Sequence, residues 1–362
     1  MNPVRLIAVS VLLALLPSLG AAEPYLAVET GFKCNVCHAK PTGGGLRSPF
    51  GNIWAQTEMS ARRIGPEDMA LWTGQLGDYL AFGGDIRGDY QYVDIPHQGS
   101  DNEFETQEAR FYLQAQLIPQ RLAFYVDERV APGSATNLEA NARLMSKSGQ
   151  YYLVAGRLYL PFGWRLEDDN AFVKQVSGVN MQTPDEGLQV GMERGSLSAQ
   201  ATVTNGSGGG PETNDGKQAT ANAQYVRSRW RLGVSGLFNN ADGGDRKAVA
   251  LYGGLRLGPT SWLGEVDYVD DNSLGTSGRD LAAALIEVNW RFRKGQNVKF
   301  TYEWFDPDTD VNEDEQTRTS LVYELSPIQF LQLRCGVRVY DGPDQIDAQN
   351  QKQAFIQLHG YF

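Results

Sequence analysis

The sequence predicts an all-β chain: a sixteen-stranded antiparallel transmembrane β-barrel with a small helical module in front of it. Three observations lead there. From Asp78 to the C-terminus, apolar residues recur with a period of two. The joints between the alternating segments are short and long in turn. The polar face of many segments is charged, which suits a watery interior better than the packed core of a soluble sandwich.

The chain opens on Arg5, an apolar stretch from Leu6 to Leu19 broken by Ser10, Pro17 and Ser18, and the small residues Gly20-Ala21-Ala22. This pattern predicts a secretory signal peptide over residues 1–22, cut after Ala22. The stretch is shorter than the roughly 20 apolar residues that a membrane helix needs. No later run is long and apolar enough to span as a helix, but barrel strands alternate and escape that criterion. The formal net charge is −11, and loss of Arg5 makes it −12 in the mature chain. Such an acidic chain is a poor partner for nucleic acid. Its three cysteines, Cys34, Cys37 and Cys335, are too few for the disulfide scaffold of a small exported domain.

Residues 23–77 read as short helices and loops, a module distinct from the barrel expected over 78–362. Pro41 to Gly45 is a turn, and Phe50 to Met59 a short helix. Gly65-Pro66-Glu67-Asp68 opens another, since Pro suits the first helical position and acids suit the positive end of the dipole. The module contains Cys34-Asn35-Val36-Cys37-His38, which is C-x-x-C-H, the attachment spacing of c-type haem. Cys34 and Cys37 would form thioethers to the two vinyl groups, and His38 would be the proximal ligand of the haem iron. A redox pair would call for a thioredoxin-like βαβ context, and zinc for a second Cys/His pair; neither is present in the sequence. The expected cofactor is therefore one covalent haem c. The distal ligand stays open: Met59 and Met69 follow in the same module, His97 falls in the first outer loop, and His359 faces the lumen near the rim.

Sixteen strand-like segments follow at about 79–94, 104–117, 121–131, 137–146, 150–161, 185–193, 196–204, 217–226, 229–239, 246–257, 260–270, 280–293, 297–306, 314–325, 328–341 and 351–362. In the second, Ala109, Phe111, Leu113, Ala115 and Leu117 share one face, and Glu108, Arg110, Tyr112, Gln114 and Gln116 the other. Trp230 to Gly236, Ala284 to Phe292 and Val298 to Trp304 repeat the alternation. Trp230, Trp290, Phe292 and Trp304 lie near strand ends, as in an interfacial aromatic girdle. Ile118-Pro119-Gln120, Arg194-Gly195, Gly258-Pro259 and Ser326-Pro327 are among the short joints. The longest joint, about Pro161 to Glu186, is the third outer loop and carries Arg165, Glu167, Asp168, Asp169 and Lys174. Other outer loops are acidic: Asp94 to Glu105, Asp242 to Asp245, Asp270-Asp271, Asp306 to Glu315 and Asp341 to Asp347, a field that attracts cations. Sixteen strands leave an aqueous channel.

Two stretches carry family resemblances. Gly156-Arg157-Leu158-Tyr159-Leu160-Pro161-Phe162-Gly163 resembles the corresponding part of phosphate-selective-type porins, and the closing Phe362 resembles the terminal signature of bacterial outer-membrane proteins. In such porins the third outer loop folds into the channel. Thr30 to His38, then Pro49-Phe50-Gly51, followed by one barrel, resembles the outer-membrane porin–cytochrome c fusions, whose best-known members are bacterial iron oxidases. The chain departs from them in Gly43-Gly44-Gly45 and a shorter barrel. The resemblance implies a monohaem module at the periplasmic end of an outer-membrane pore. It implies electron transfer between an extracellular donor or acceptor, Fe(II) among them, and a periplasmic carrier such as a soluble cytochrome c. Two other functions are compatible with the same residues: a substrate-selective or passive porin whose haem module is a plug or sensor, and a barrel scaffold for a partner multihaem cytochrome.

Overall fold

The computed structural model describes residues 23–66, 68–240, 243–274 and 278–362. The signal peptide expected over residues 1–22 lies outside them, as do Glu67 and Asp242.

Sixteen antiparallel strands close into a barrel. They are β1 Leu80–Ile95, β2 Gly99–Ile118, β3 Leu122–Ala131, β4 Thr136–Met145, β5 Tyr151–Leu158, β6 Asp185–Arg194, β7 Leu197–Thr204 and β8 Gln218–Val226. The second half is β9 Trp230–Asn239, β10 Arg246–Leu257, β11 Thr260–Asp271, β12 Arg279–Arg293, β13 Gln296–Asp306, β14 Gln316–Ile328, β15 Leu331–Asp341 and β16 Lys352–Tyr361. Each strand pairs with the next, and β16 closes on β1 in the register Gln357↔Asp89, Leu358↔Gly88. Closure leaves no exposed sheet edge. A two-residue strand, Gln75–Leu76, lies against the start of β1.

The faces sort as the alternation requires. On β2, Phe111 and Leu113 are exposed, while Glu108, Arg110, Tyr112 and Gln114 are buried inside. Leu188 and Val190 of β6, Val249 and Leu251 of β10 and Val266 of β11 are all more than half exposed. Burying a Val or Leu side chain is worth about 1.5–3 kcal/mol, so a continuous outward belt of them suits lipid and not water. Trp230, Trp290 and Phe292 stand exposed at one rim of this belt.

The joints at one end are residues 119–121, 146–150, 195–196, 227–229, 258–259, 294–295 and 329–330. At the other end they include 159–184, 205–217, 307–315 and 342–351. Two outer joints are shorter than the sequence suggests: 96–98 and 132–135. The first is short because β2 begins at Gly99, and Asp94↔Ser100 and Gln91↔Glu103 are paired. A hairpin standing in water can be polar on both faces, so alternation does not reveal it. The expected turn at Ser326-Pro327 also shifts. Pro327 lies inside β14 at a register irregularity between Leu325 and Ile328, where a missing ladder donor costs nothing. The turn itself uses Phe330 at φ 70°. The helix expected from Gly65 does not form; the described residues there make a turn in which Met69 N–H donates to Pro66 O.

The expected aqueous channel is narrowed, because the third outer loop occupies part of the lumen. Residues 159–184 fold inward with a helix over Phe172–Ser177. Phe162, Trp164, Phe172, Val173, Val176 and Met181 pack on Tyr252, Leu263, Val269 and Leu285 of the wall. Buried ion pairs also run along the wall and between the loop and the wall. Arg110 Nε donates to Asp127 Oδ1 at 3.0 Å, Arg318 Nε to Glu303 Oε1 at 2.8 Å, and Lys174 Nζ to Glu265 Oε1 at 3.3 Å. The reason for the filling is visible on β10–β12. Their inward positions Ala248, Ala250, Tyr252, Leu263, Val269, Leu281, Ala283 and Leu285 are apolar and need a dry partner.

Candidate functional site

Ahead of the barrel, the chain forms three short helices: α1 Pro24–Thr30, α2 Cys34–Cys37 and α3 Pro49–Trp54. The inward helix Phe172–Ser177 is then α4. Pro24 occupies the first turn of α1, and Gly31 ends it in the left-handed region. Ser48 caps α3, its hydroxyl accepting from Gly51 N–H at 3.0 Å, with Pro49 next. A π-helical turn, Ala55–Met59, continues α3, and such turns recur at functional sites.

These elements sit inside the barrel at its short-turn end. Tyr25 OH donates to Glu324 Oε2 at 3.1 Å, Arg231 Nη2 to Phe32 O at 2.7 Å, and Arg291 Nη1 to Glu29 Oε1 at 2.8 Å. Lys33 pairs with Glu193 at 3.0 Å, and Lys40 with Glu139. From the opposite side, Arg165 of the inward loop donates through Nη1 to Gly43 O at 2.5 Å while its guanidinium lies 3.9 Å above the Tyr159 ring centroid. The Gly43-Gly44-Gly45 run has its explanation here. All three have positive φ, and a Cβ on Gly44 or Gly45 would collide with the Arg165 guanidinium or the Tyr125 hydroxyl.

Within α2, His38 N–H closes the turn on Cys34 O at 3.0 Å, and Ser48 N–H donates to Cys37 O at 2.9 Å. Gly51 packs against the same carbonyl so closely that a Cβ there would lie 2.0 Å from Cys37 O. Gly51→Ala is therefore expected to push α3 off α2 and, on the expectation that the C-x-x-C-H motif attaches a haem, to cut that attachment sharply; staining of denaturing gels for haem peroxidase checks it.

Cys34, Cys37 and His38 face a cavity of about 1080 Å³, counting the space open to solvent. Leu26, Ala27, Phe32, Trp54, Ala55 and Trp164 give it apolar walls, and Arg47, Arg87 and Arg165 place cations on it. Met59, Gln332 and His359 also border it, as do Glu23 and Lys33.

The residues present fit a haem. A porphyrin needs a mostly apolar slot, and its two propionates need cations. Burial, with Arg47 beside it, pushes the His38 imidazole down to about 3, so the ring is neutral, as a metal ligand must be. His38 Nδ1 is buried with no hydrogen-bond partner. Burial raises the Cys34 thiol, and Cys37 is pushed up to about 11 by burial and the neighbouring Cys34. Redox-active C-x-x-C pairs have depressed thiol values instead. Among the described residues no three His, Cys, Asp or Glu side chains gather around a bare metal ion. A haem brings four nitrogens of its own and needs only axial ligands.

Of the distal candidates, Met59 and His359 both border the cavity. His359 is engaged on both ring nitrogens: Nε2 lies 2.6 Å from Asp85 Oδ1 and Nδ1 3.2 Å from Gln332 Oε1. The Met59 thioether has no such competitor. Met69 is exposed outside the cavity, and His97 pairs with Asp347 at the far end of the barrel. Sequence reading missed Trp54, Trp164, Arg47 and Arg87. Trp54 and Arg47 had a usable signal, since both lie within twenty residues of the haem motif; Trp164 and Arg87 reach the site only through the fold.

No family model and no curated protein matches the chain. Solved structures do match. The anion-selective porin from Comamonas acidovorans aligns at a TM-score of 0.62 and 12% identity over 78% of this chain and 99% of its own. Pseudomonas putida OprB aligns at 0.63 and 10% over 79% and 95%. The outer membrane channel DcaP of Acinetobacter baumannii aligns at 0.56 and 10% over 78% and 97%. At these identities the likeness establishes the porin-type sixteen-stranded barrel. The neighbours are matched almost end to end, while about a fifth of this chain has no counterpart in them.

Proposed function

We propose that the chain is a porin-type barrel of the bacterial outer membrane that holds one covalent haem c in its lumen and passes electrons between the two sides. The observation that carries this reading is the cavity: both cysteines and the histidine of one C-x-x-C-H motif border a single apolar, arginine-rimmed space inside the barrel. By the rule that outer-membrane barrels keep their short turns in the periplasm, that space opens toward periplasmic carriers. When bound, the haem supplies reversible one-electron chemistry. Cys34 and Cys37 would tether it, His38 and Met59 would supply ligands to the iron, and Arg47 and Arg165 would offer charge to its propionates, while Arg87, paired with Glu167, borders the same space. The inward loop narrows the approach to the site from the long-loop end. Extracellular access then runs through the acidic outer loops, which favour a cation such as Fe(II) over an anion.

A second reading is a substrate-selective or passive channel in which the haem segment is a plug or sensor. The named neighbours favour it, since they are a porin and an outer-membrane channel. The ion pairs that fasten the inward loop to the wall, Lys174 to Glu265 and Arg318 to Asp168, oppose a wide-open pore. Holoprotein in liposomes separates the two. Electron transfer predicts that an impermeant external donor reduces both the haem and an acceptor trapped inside. A steady ion current in planar bilayers with no internal reduction would instead establish the channel.

A further inference from the structure

The barrel is electrically polarised along its axis. At the long-loop end, the joint 307–315 alone holds Asp308, Asp310, Glu313, Asp314 and Glu315. The short turns at the other end carry Arg121, Lys147, Arg227, Arg229 and Lys294 instead. Most of this basic rim surrounds the barrel, where lipid head groups could account for it. One part does not. A second cleft, about 1320 Å³ including its open side, lies inside the mouth between the 119–121 and 146–150 turns and the haem segment. Its lining includes Arg47, Arg121, Arg143 and Lys147, and it reaches His38 itself. Glu193 is its sole carboxylate among the described lining residues, and Lys33 already neutralises it at 3.0 Å.

Of the four cations of this cleft, Arg47 lies 3.8 Å from Asp85, and the other three lack such a partner among the described residues. Arg143 is only 8% exposed, and its printed hydrogen bond goes to a neutral group, Gln114 Oε1, at 2.8 Å. Among the described residues, no carboxylate pairs with Arg121, Arg143 or Lys147. Elsewhere in this lumen the buried cations Lys40, Arg110, Lys174 and Arg318 each have a carboxylate. Burying an arginine without a counter-charge is costly, and a partner's carboxylate entering the cleft would supply it.

We propose that this cleft is the docking site of an acidic, soluble periplasmic electron carrier, whose carboxylates meet Arg121, Arg143 and Lys147 and so bring its redox centre beside the His38 edge of the site. This rests on the electron-transfer reading above. The occupant is a soluble protein and not a lipid, because the cleft faces the barrel mouth and not its outer wall. Complementary charge of this kind acts mainly on encounter rate and orientation and is weakened by salt. The exchange moves one electron between the haem iron and the carrier's metal, with no bond formed and no proton required.

The test uses two carriers of opposite charge as probes, an acidic plastocyanin and a basic mitochondrial cytochrome c, with the full-length holoprotein in nanodiscs. Binding is measured directly, and haem oxidation by Cu(II) plastocyanin is followed by stopped flow. Binding of plastocyanin is expected to fall about tenfold or more in Arg121→Glu/Lys147→Glu and to weaken steeply with salt. Binding of the basic cytochrome, which the acidic far end attracts, should not fall. The variant's reduction potential should match the wild type, which separates docking from damage to the haem site. Equal plastocyanin affinity in wild type and variant would overturn the proposal. So would a variant whose only defect is weaker flotation with phosphatidylglycerol vesicles, which would assign the rim to lipid. Because binding is read independently of redox activity, a protein that lacks haem yet binds plastocyanin through these residues would refute the electron-transfer reading and leave the cleft's preference for acidic proteins standing.

Discussion

Replacing both Cys34 and Cys37 with alanine is expected to abolish the covalent haem band on denaturing gels and leave a folded, heat-modifiable barrel. The two thiols border the cavity but take no part in the ladder that closes the barrel. The N-terminal segment is held through other groups, among them Tyr25 to Glu324, Arg231 to Phe32 O and Arg165 to Gly43 O. Thiol-to-methyl changes at half-buried positions cost about 1 kcal/mol of stability, little beside a sixteen-strand sheet. The measurement pairs haem staining with electrophoresis of heated and unheated samples. An undiminished band in the double variant would show that the motif does not attach the cofactor. Loss of heat modification along with the band would show that the barrel needs the haem to fold.

Glu265→Ala is expected to unfasten the inward loop and raise ion conductance severalfold in planar bilayers. Glu265 is 1% exposed and makes two attachments at once. It accepts the Trp164 N–H at 2.8 Å through one oxygen and pairs with Lys174 at 3.3 Å through the other. Removing it leaves Lys174 buried without its counter-charge, a loss of about 3–5 kcal/mol. The strands keep their ladder, so the cost falls on the loop. An apolar pair at the same two places, Glu265→Met with Lys174→Met, should restore most of the closure, since exchanging both partners removes the orphaned charge. Conductance that stays at the wild-type level in Glu265→Ala would mean that the apolar packing of Phe162, Phe172 and Val173 closes the lumen unaided.

Much of this architecture is legible in the sequence because barrel strands obey a rule of period two. Phe111 and Leu113 face out and Arg110 and Gln114 face in, as their spacing dictates. The C-x-x-C-H motif is likewise a local signal, and its three residues fall on one cavity. What the pattern conceals is the inside. A lumen lined by Glu, Arg and Gln reads as watery, but those charges pair across space with partners a hundred residues or more away, as Arg318 does with Asp168. One clue was available: Leu281, Ala283 and Leu285 give β12 apolar residues on its inward face, which a water-filled pore does not call for. Pro327 suggests a turn because proline seldom sits in a strand, yet a bulge accommodates it. The acidic outer loops imply a cation-attracting field, and the structure adds the opposite, basic mouth that the net charge of the chain conceals.

The most direct test of the account is the haem content of the protein isolated from outer membranes. A pyridine haemochrome assay, set against protein quantified by amino-acid analysis, should give one c-type haem per chain in the same heat-modifiable fraction. Reduction should then produce the spectrum of a single low-spin centre. A heat-modifiable barrel recovered from cells competent for cytochrome c maturation, with no bound haem and with both thiols free to alkylation, would contradict it.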